Sequence, residues 1–489
     1  MRVRRHSSAI AAALCLAALG CTSSRTEADN VPSVLVGLTA SSGAIGLSYH
    51  RAALTRELLV TMSTEGRPTP MIFESWEVSP DGLTWRLRIG RGVRFHDGLL
   101  LTAQLLAPHV AKELRGLSLS EVGEIAAESS DVLRITLKEP YAFLFEDLSV
   151  ISALRVVDGQ TISTGPYEVD EESPERLLLK ATADFYRGAP DVSQIEVRLF
   201  PDQRNAWSAL MRNEIDVLYE VSGDALQFVR SESSVSVTTF PRQYVYLFGF
   251  NVAHPVLANP DVRRALDRGV DRNALVRAAM SGEGEPAQGH VWPQHWAYDA
   301  AAGAIGYDPE EAIRMLDNAG LTVRIAPGRM PARLRLHCLV YEPLAEIALV
   351  LQRQLAQLDV DLQLEILPTS QLIGRLSTGD FDAFVFEMTA TRGLKFPYQF
   401  WHSGTPFLKH GYSGADDVLD RIRHASNDGE LKAAASAFQR RVHEDPPAVF
   451  LAWGRTSRAV SNRFEIPAGD DDIYHTISRW KLAPQAVRP

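Results

Sequence analysis

The run WEVSPDGLTWRLRIGRGVRFHDGLLLTA, from Trp76 to Ala103, sets three reversal signals close together and constrains the fold more than any other stretch. Ser79-Pro80-Asp81-Gly82 joins a proline, whose ring fixes φ, to a glycine that accepts a positive φ, so the backbone turns there. Leu83, Trp85, Leu87 and Ile89 then alternate with Thr84, Arg86 and Arg88, the pattern of a strand with one apolar and one basic face. Gly90-Arg91-Gly92 turns into Val93-Arg94-Phe95, and His96-Asp97-Gly98 makes a third turn. Thr102 is placed to cap a helix entered at Ala103. None of these features asks for catalysis.

At 489 residues the chain exceeds one hydrophobic core and suits two or three domains. A net charge of -10 with no long basic tract argues against nucleic-acid binding. The first twenty residues read as a targeting segment, with Arg2, Arg4 and Arg5 ahead of an apolar core from Ala9 to Leu19 that is too short to span a bilayer. It ends in Ala18-Leu19-Gly20-Cys21, which is similar to a bacterial lipoprotein cleavage box with Ala18 and Leu19 exchanged. The expectation is export, lipidation of Cys21 and anchoring at a membrane, in the periplasm or at the cell surface. Residues 22–30 are polar and serve as a tether. Cys338, in LRLHCLV, is then the one thiol left; no internal disulfide can form, and it reads as a packing residue.

Trp76, Asp81, Gly82, Trp85, Leu87, Arg88, Gly92, Val93, Phe95, Asp97, Gly98, Thr102 and Ala103 keep the spacing of one signature. The stretch closely resembles that of family 5 of the bacterial extracellular solute-binding proteins, the receptors of peptide and nickel importers. Gln104-Leu105 departs from the family's acidic pair, and Pro108 is expected to kink or restart the helix. Gly66, Pro70, Ile72, Glu74, Thr164-Gly165-Pro166-Tyr167, Asn213-Glu214-Ile215-Asp216, Gly306 to Ala312 and Phe381-Asp382 extend the resemblance. The sequence also predicts helices at 51–59, 204–211 and 345–358, strands at 132–137, 195–200, 244–251, 334–340 and 361–366, and helix caps at Asp261 and Asp271.

The resemblance implies an α/β, periplasmic-binding-protein-like (type II) fold of two lobes with mixed sheets, a small extra α+β domain and a hinge. The expected division is signal peptide 1–20, tether 21–30, lobe I from 31–65, 155–243 and 455–489, accessory domain 66–154, and lobe II 244–454. The implied function is the substrate-binding component of an ABC-type importer, a monomer that captures a peptide-like or other small organic solute between the lobes and delivers it to a permease and ATPase complex. A nickel or metal-complex binder, a non-transport surface lipoprotein and a hydrolase on the same fold are the alternatives. The chain lacks G-x-S-x-G, H-E-x-x-H and P-loop patterns, and Asp470, Asp471 and Asp472 lie in a polar loop.

Candidate ligand residues are Tyr244, Tyr246, Phe248 and Asn251 on one crossing segment and Trp453 and Arg455 on the other, with Trp401 in addition. Alternation sets Tyr244, Tyr246 and Phe248 on one face as an aromatic wall. In peptide-binding relatives the strand after the Tyr-Asp pair carries a Trp and, three residues later, an Asp that pairs with the peptide's amino terminus. Those places fall on Met388 and Thr391, with Arg392 next. A buried ammonium without a counter-charge costs about 2–5 kcal/mol. Unless Glu387 substitutes, the site is poorly suited to a charged amine, and Arg392 and Arg455 are expected to favour a neutral or anionic ligand. His290, His295, His402 and His410 show no tight metal-ligand spacing and read as scattered surface histidines; no metal or cofactor is expected.

Overall fold

The computed structural model describes residues 32–39, 46–117, 120–325, 331–389, 392–405, 407–467 and 472–484. Ser33–Thr39 (β1) leads to Gly46–Thr55 (α1), which buries His50 and Leu54 and leaves Tyr49 and Ala53 outside. The predicted helix at 51–59 thus starts earlier and stops before Leu58 and Leu59. Val60–Met62 (β2) and Pro68–Pro70 (β3) form a short hairpin.

Phe73–Val78 (β4), Thr84–Ile89 (β5), Val122–Ala127 (β6) and Val132–Leu137 (β7) make an antiparallel sheet in the order β4-β5-β7-β6. As the alternation predicts, Trp85, Leu87 and Ile89 are buried, while Arg86 and Arg88 face outward onto Glu128 and Asp131. Gly82, at φ 71°, and Gly98, at φ 82°, occupy the left-handed region that their turns require. Val93 to Phe95 is not a strand; only Arg94 forms an isolated bridge, to Leu100. Ala103–Gly116 (α2), capped by Thr102, runs through Pro108 without ending. Leu144–Leu148 (α3) and the hairpin of Leu154–Val157 (β8) and Gln160–Ser163 (β9) follow.

The main sheet holds eleven strands. One half comprises β1, Tyr167–Ser173 (β10), Arg176–Ala181 (β11), Gln194–Phe200 (β12) and Val217–Leu218 (β13), with Gln203–Met211 (α4) between β12 and β13 and Gly223–Ser231 (α5) after them. The chain then crosses on Val235–Phe250 (β14). Pro260–Arg268 (α6) is capped by Asn259, whose side chain accepts from the Asp261 N–H; Asp261 sits in the first turn instead, because Pro260 takes the first helical position. Arg272–Ala279 (α7) is capped by Asp271 as predicted. Gly284–Pro286 (β15), Pro309–Asn318 (α8), Leu334–Tyr341 (β16), Ala345–Ala356 (α9), Val360–Leu367 (β17), Thr369–Thr378 (α10) and Ala383–Thr389 (β18) build the second half, where parallel β16-β17 and β16-β18 pairs alternate with helices. Lys395–Trp401 (α11), Asp416–Arg423 (α12) and Asp428–Glu444 (α13) precede the return strand Ala448–Ser461 (β19), and Phe464–Glu465 (β20) pairs with Lys481–Leu482 (β21).

β14 and β19 each belong to both lobes. Val235 to Pro241 lie opposite Ser461 to Arg455, the register then slips, and Val245 to Gly249 lie opposite Trp453 to Ala448. β13 joins β19 on one side of the slip and β18 joins β14 on the other. The buried side of the four-stranded sheet, with Leu87, Leu133 and Phe143, is continuous with Trp401, Leu419 and Phe438 under α11, α12 and α13. Polar contacts cross the same seam: Glu146 accepts the Leu394 and Lys395 backbone N–H groups at 2.8 and 3.0 Å, Lys395 pairs with Asp147, and Arg423 pairs with Glu121. Cys338 is fully buried in β16, and burial pushes its thiol up, as suits a packing residue. Among the described residues no helix is long and apolar enough to cross a membrane.

Candidate functional site

The register slip leaves Arg242 and Tyr244 without partners in β19 and gathers a charged cluster between the lobes. Arg242 Nη1 donates to Glu387 Oε2 at 2.9 Å and to the Tyr246 hydroxyl at 3.1 Å; Nη2 donates to Glu387 Oε1 at 3.3 Å. The guanidinium lies 4.7 Å from the Tyr244 ring centre. Gly454 makes room for this arrangement, since a Cβ there would sit 2.6 Å from the Tyr246 oxygen. The Glu387 side chain is 10% exposed, and burial pushes its carboxyl above the usual range against the pull of Arg242. Glu220, just past β13, acts electrostatically on Arg242, Tyr246 and Glu387. Among the described residues its carboxylate has no hydrogen bond or ion pair.

On the β13 side of the slip, Arg458 pairs with Asp472 at 2.9 Å and stacks 3.7 Å from the Tyr219 ring centre. The Tyr219 hydroxyl donates to Asp472 at 2.9 Å, Tyr219 stacks on Tyr474, and Tyr474 meets His50 Nδ1 at 2.7 Å. Burial, assisted by Arg458, pulls His50 down to about 4, so the ring is neutral at pH 7. Asp472, which the sequence places in a polar loop, is therefore the anchor of a buried network.

The sequence-derived candidates divide. Tyr244, Tyr246 and Glu387 converge on Arg242. Phe248 and Met388 are fully buried in apolar core and present no surface to a ligand, so the expected aromatic wall shrinks to Tyr244 and the edge of Tyr246. Trp401 is also fully buried, donating to His290 Nδ1 at 2.8 Å. Asn251 bonds the Phe381 and Gly379 carbonyls at 2.8 and 3.3 Å and fixes a loop. Trp453 packs edge-on against Trp292, and its buried Nε1 has no partner among the described residues. Of the two arginines expected to favour a neutral or anionic ligand, Arg455 pairs with Glu285, and Arg392 donates to the Met62 carbonyl at 2.8 Å. Thr391 and Cys21 lie outside the described residues.

Three of the four histidines read as surface residues are interior. His290, His295 and His410 are at most 5% exposed, and burial draws His290 to about 3 and His295 to about 4. His410 meets the Phe400 carbonyl at 2.7 Å, and His402 faces Asp420. Glu121, Glu139 and His424 bring ligand-type atoms within 4.8 Å of one another, but Arg423 already occupies Glu121. Sequence reasoning missed Arg242, Glu220, Tyr219, Arg458 and Asp472; Arg242 alone carried a signal, as a charge next to the crossing aromatics.

Residues 67–407 match the family described as bacterial extracellular solute-binding proteins, family 5. Di/tripeptide-binding protein 2 of Pseudomonas aeruginosa is 22% identical, over 86% of this chain and 85% of its own. The oligopeptide-binding protein AppA of Bacillus subtilis, solved with a nonapeptide, superposes with a TM-score of 0.73 at 20% identity, covering 92% of this chain and 99% of that one. NikA from Brucella suis, solved with Fe(III)-EDTA, gives 0.80 at 18% identity, covering 92% and 100%. The match over most of its length and the two-lobed fold with two crossing strands make this chain a member of family 5 of the bacterial extracellular solute-binding proteins.

Proposed function

We propose that this protein is the solute-capturing component of an ABC-type importer, which takes a peptide-like organic solute between its lobes and passes it unchanged to a permease. The observation that carries the reading is the cluster at the crossing strands, where Glu387 is paired with Arg242 and a second carboxylate, Glu220, acts electrostatically on that pair. Glu387 is consumed by Arg242, so Glu220 is the carboxylate free to receive an ammonium. This reverses the sequence-based preference for a neutral or anionic ligand. The same proposal keeps the division into lobe I (31–65, 155–243, 455–489), accessory domain (66–154) and lobe II (244–454), a monomeric state, and export with lipidation at Cys21.

The test is calorimetry of the purified protein with tri- to pentapeptides, free and N-acetylated. A hydrogen-bonded charge is worth about 1.5–3 kcal/mol, so free-amine peptides should bind about 10- to 150-fold more tightly, and Glu220→Gln should erase the difference. Equal affinity of free and acetylated peptides would overturn the assignment of Glu220. Peptide-dependent stimulation of a permease ATPase tests delivery.

A further inference from the structure

Along the outer face of α1 runs a cavity of about 670 Å³, within the range of about 300–1,000 Å³ that small-molecule sites occupy. Its walls come from α1, the segment after it, the 185–191 loop and residues 472–479, and no described residue of β14, β18, β19 or α11 contributes. Arg242, Tyr244, Tyr246, Glu387 and Glu220 take no part in its walls, although it shares Asp472 and Tyr474 with the Tyr219 network and Tyr244 acts electrostatically on Tyr49. Ala52, Ala53, Met71 and Phe185 supply an apolar floor. Arg56 follows Ala52 and Ala53 by four and three positions on the same helical face, its N–H still bonded to the Ala52 carbonyl.

The charges in this cavity are incompletely paired. Of its three arginines, Arg187 is held by the Met71 carbonyl at 2.7 Å and stands 3.8 Å from Glu57. The side chains of Arg56 and Arg479 have no hydrogen bond or ion pair among the described residues. Arg56 is half-buried, and burial together with the like charge of Arg51 lowers its pKa, the mark of a cation kept without a counter-ion. Three carboxylates also line the space. Asp472 is committed to Arg458 and Tyr219, Glu57 is 5% exposed and pushed up to about 7 by burial, and Asp191 is exposed.

We propose that this cavity is a second ligand site, for a small organic carboxylate whose apolar body lies on Ala52, Ala53 and Phe185 and whose anionic end is held by Arg56 and Arg479. The site does not depend on what the cleft binds. The probes are phenylacetate and hexanoate, with their amides as neutral controls, titrated calorimetrically into the full chain. The acids should bind at least about tenfold more tightly than the amides, because only the carboxylate brings a full negative charge to the two guanidinium groups and can take parallel hydrogen bonds from them. Arg56→Gln should bring the acids down to the amide level, Arg479→Gln should weaken them less, and Arg56→Lys, which keeps the charge, should retain binding. A saturating tripeptide, whose own binding heat is measured separately, should leave the acid in place. No heat with millimolar acid, equal binding of acid and amide, an unaltered Arg56→Gln variant, or displacement by the tripeptide would each overturn the proposal.

Discussion

Lys395→Met tests the polar seam between the four-stranded sheet and α11. Asp147 is fully buried and Lys395 is 11% exposed; among the described residues the one other bond to the Asp147 carboxylate comes from the Tyr141 hydroxyl at 2.8 Å. Removing the ammonium leaves a buried anion beside Glu146, whose own carboxyl is pushed up by burial to about 7. Breaking such a pair from one side costs about 3–5 kcal/mol, whereas replacing both partners with uncharged groups is often nearly neutral. At an m-value of about 2–3 kcal/mol per molar urea, the single variant should unfold roughly 1–2 M earlier. The double variant Asp147→Asn/Lys395→Met should recover most of that loss, giving a large coupling energy in the double-mutant cycle. Because burial already raises the Asp147 carboxyl, the deficit of Lys395→Met should shrink as the pH falls and the group becomes neutral. A single variant as mild as the double one would show that the seam does not rest on this charge pair.

Arg242→Met should destabilise the protein by about 3–5 kcal/mol, since Glu387 would remain buried without its partner; urea unfolding measures it, and Arg242→Met/Glu387→Gln should be milder. Glu57 has its carboxyl raised from 4.5 to about 7. Its contribution to stability is thus highest below pH 4.5 and falls as the pH rises through 7, so Glu57→Gln should gain up to about 3 kcal/mol on the wild type between pH 4 and pH 8; parallel curves in pH-dependent melts would refute this. Gly66→Ala would place a Cβ 2.2 Å from the Arg392 carbonyl oxygen at φ 76°, so undocking of the β2-β3 hairpin is expected at a cost of about 2–4 kcal/mol, seen as a lower melting temperature and faster proteolysis near residue 65.

Local chemistry explains what was legible. The turns at Gly82 and Gly98, the Thr102 and Asp271 caps and the 132–137 strand depend on residues a few positions apart, and the sequence displays them directly. The Arg242–Glu387 pair joins residues 145 positions apart, and Tyr219 meets Asp472 across 253. Nothing in either neighbourhood announces its partner. Phe248, set in a wall by alternation, and Met388, set at the site by the family's spacing, were misjudged for a different reason. Their strands are covered on both faces, so a period of two distinguishes one core from another and not core from cleft. The buried histidines were misread because a lone His gives no sign of burial until its carbonyl partner is known.

The slip between Pro241 and Val245 has a mechanical consequence. With β14 and β19 hydrogen-bonded on both sides of it, a hinge between the lobes would bend where Arg242 to Tyr244 lack partners in β19, and its axis would pass beside Arg242. Glu387 rides on β18, laddered to β14 just past that axis, so the pair travels as one body. Glu220 follows β13, on the other side of the slip. An ammonium held by Glu220 while the rest of the solute lies against the Arg242–Glu387 pair would convert charge placement into closing torque.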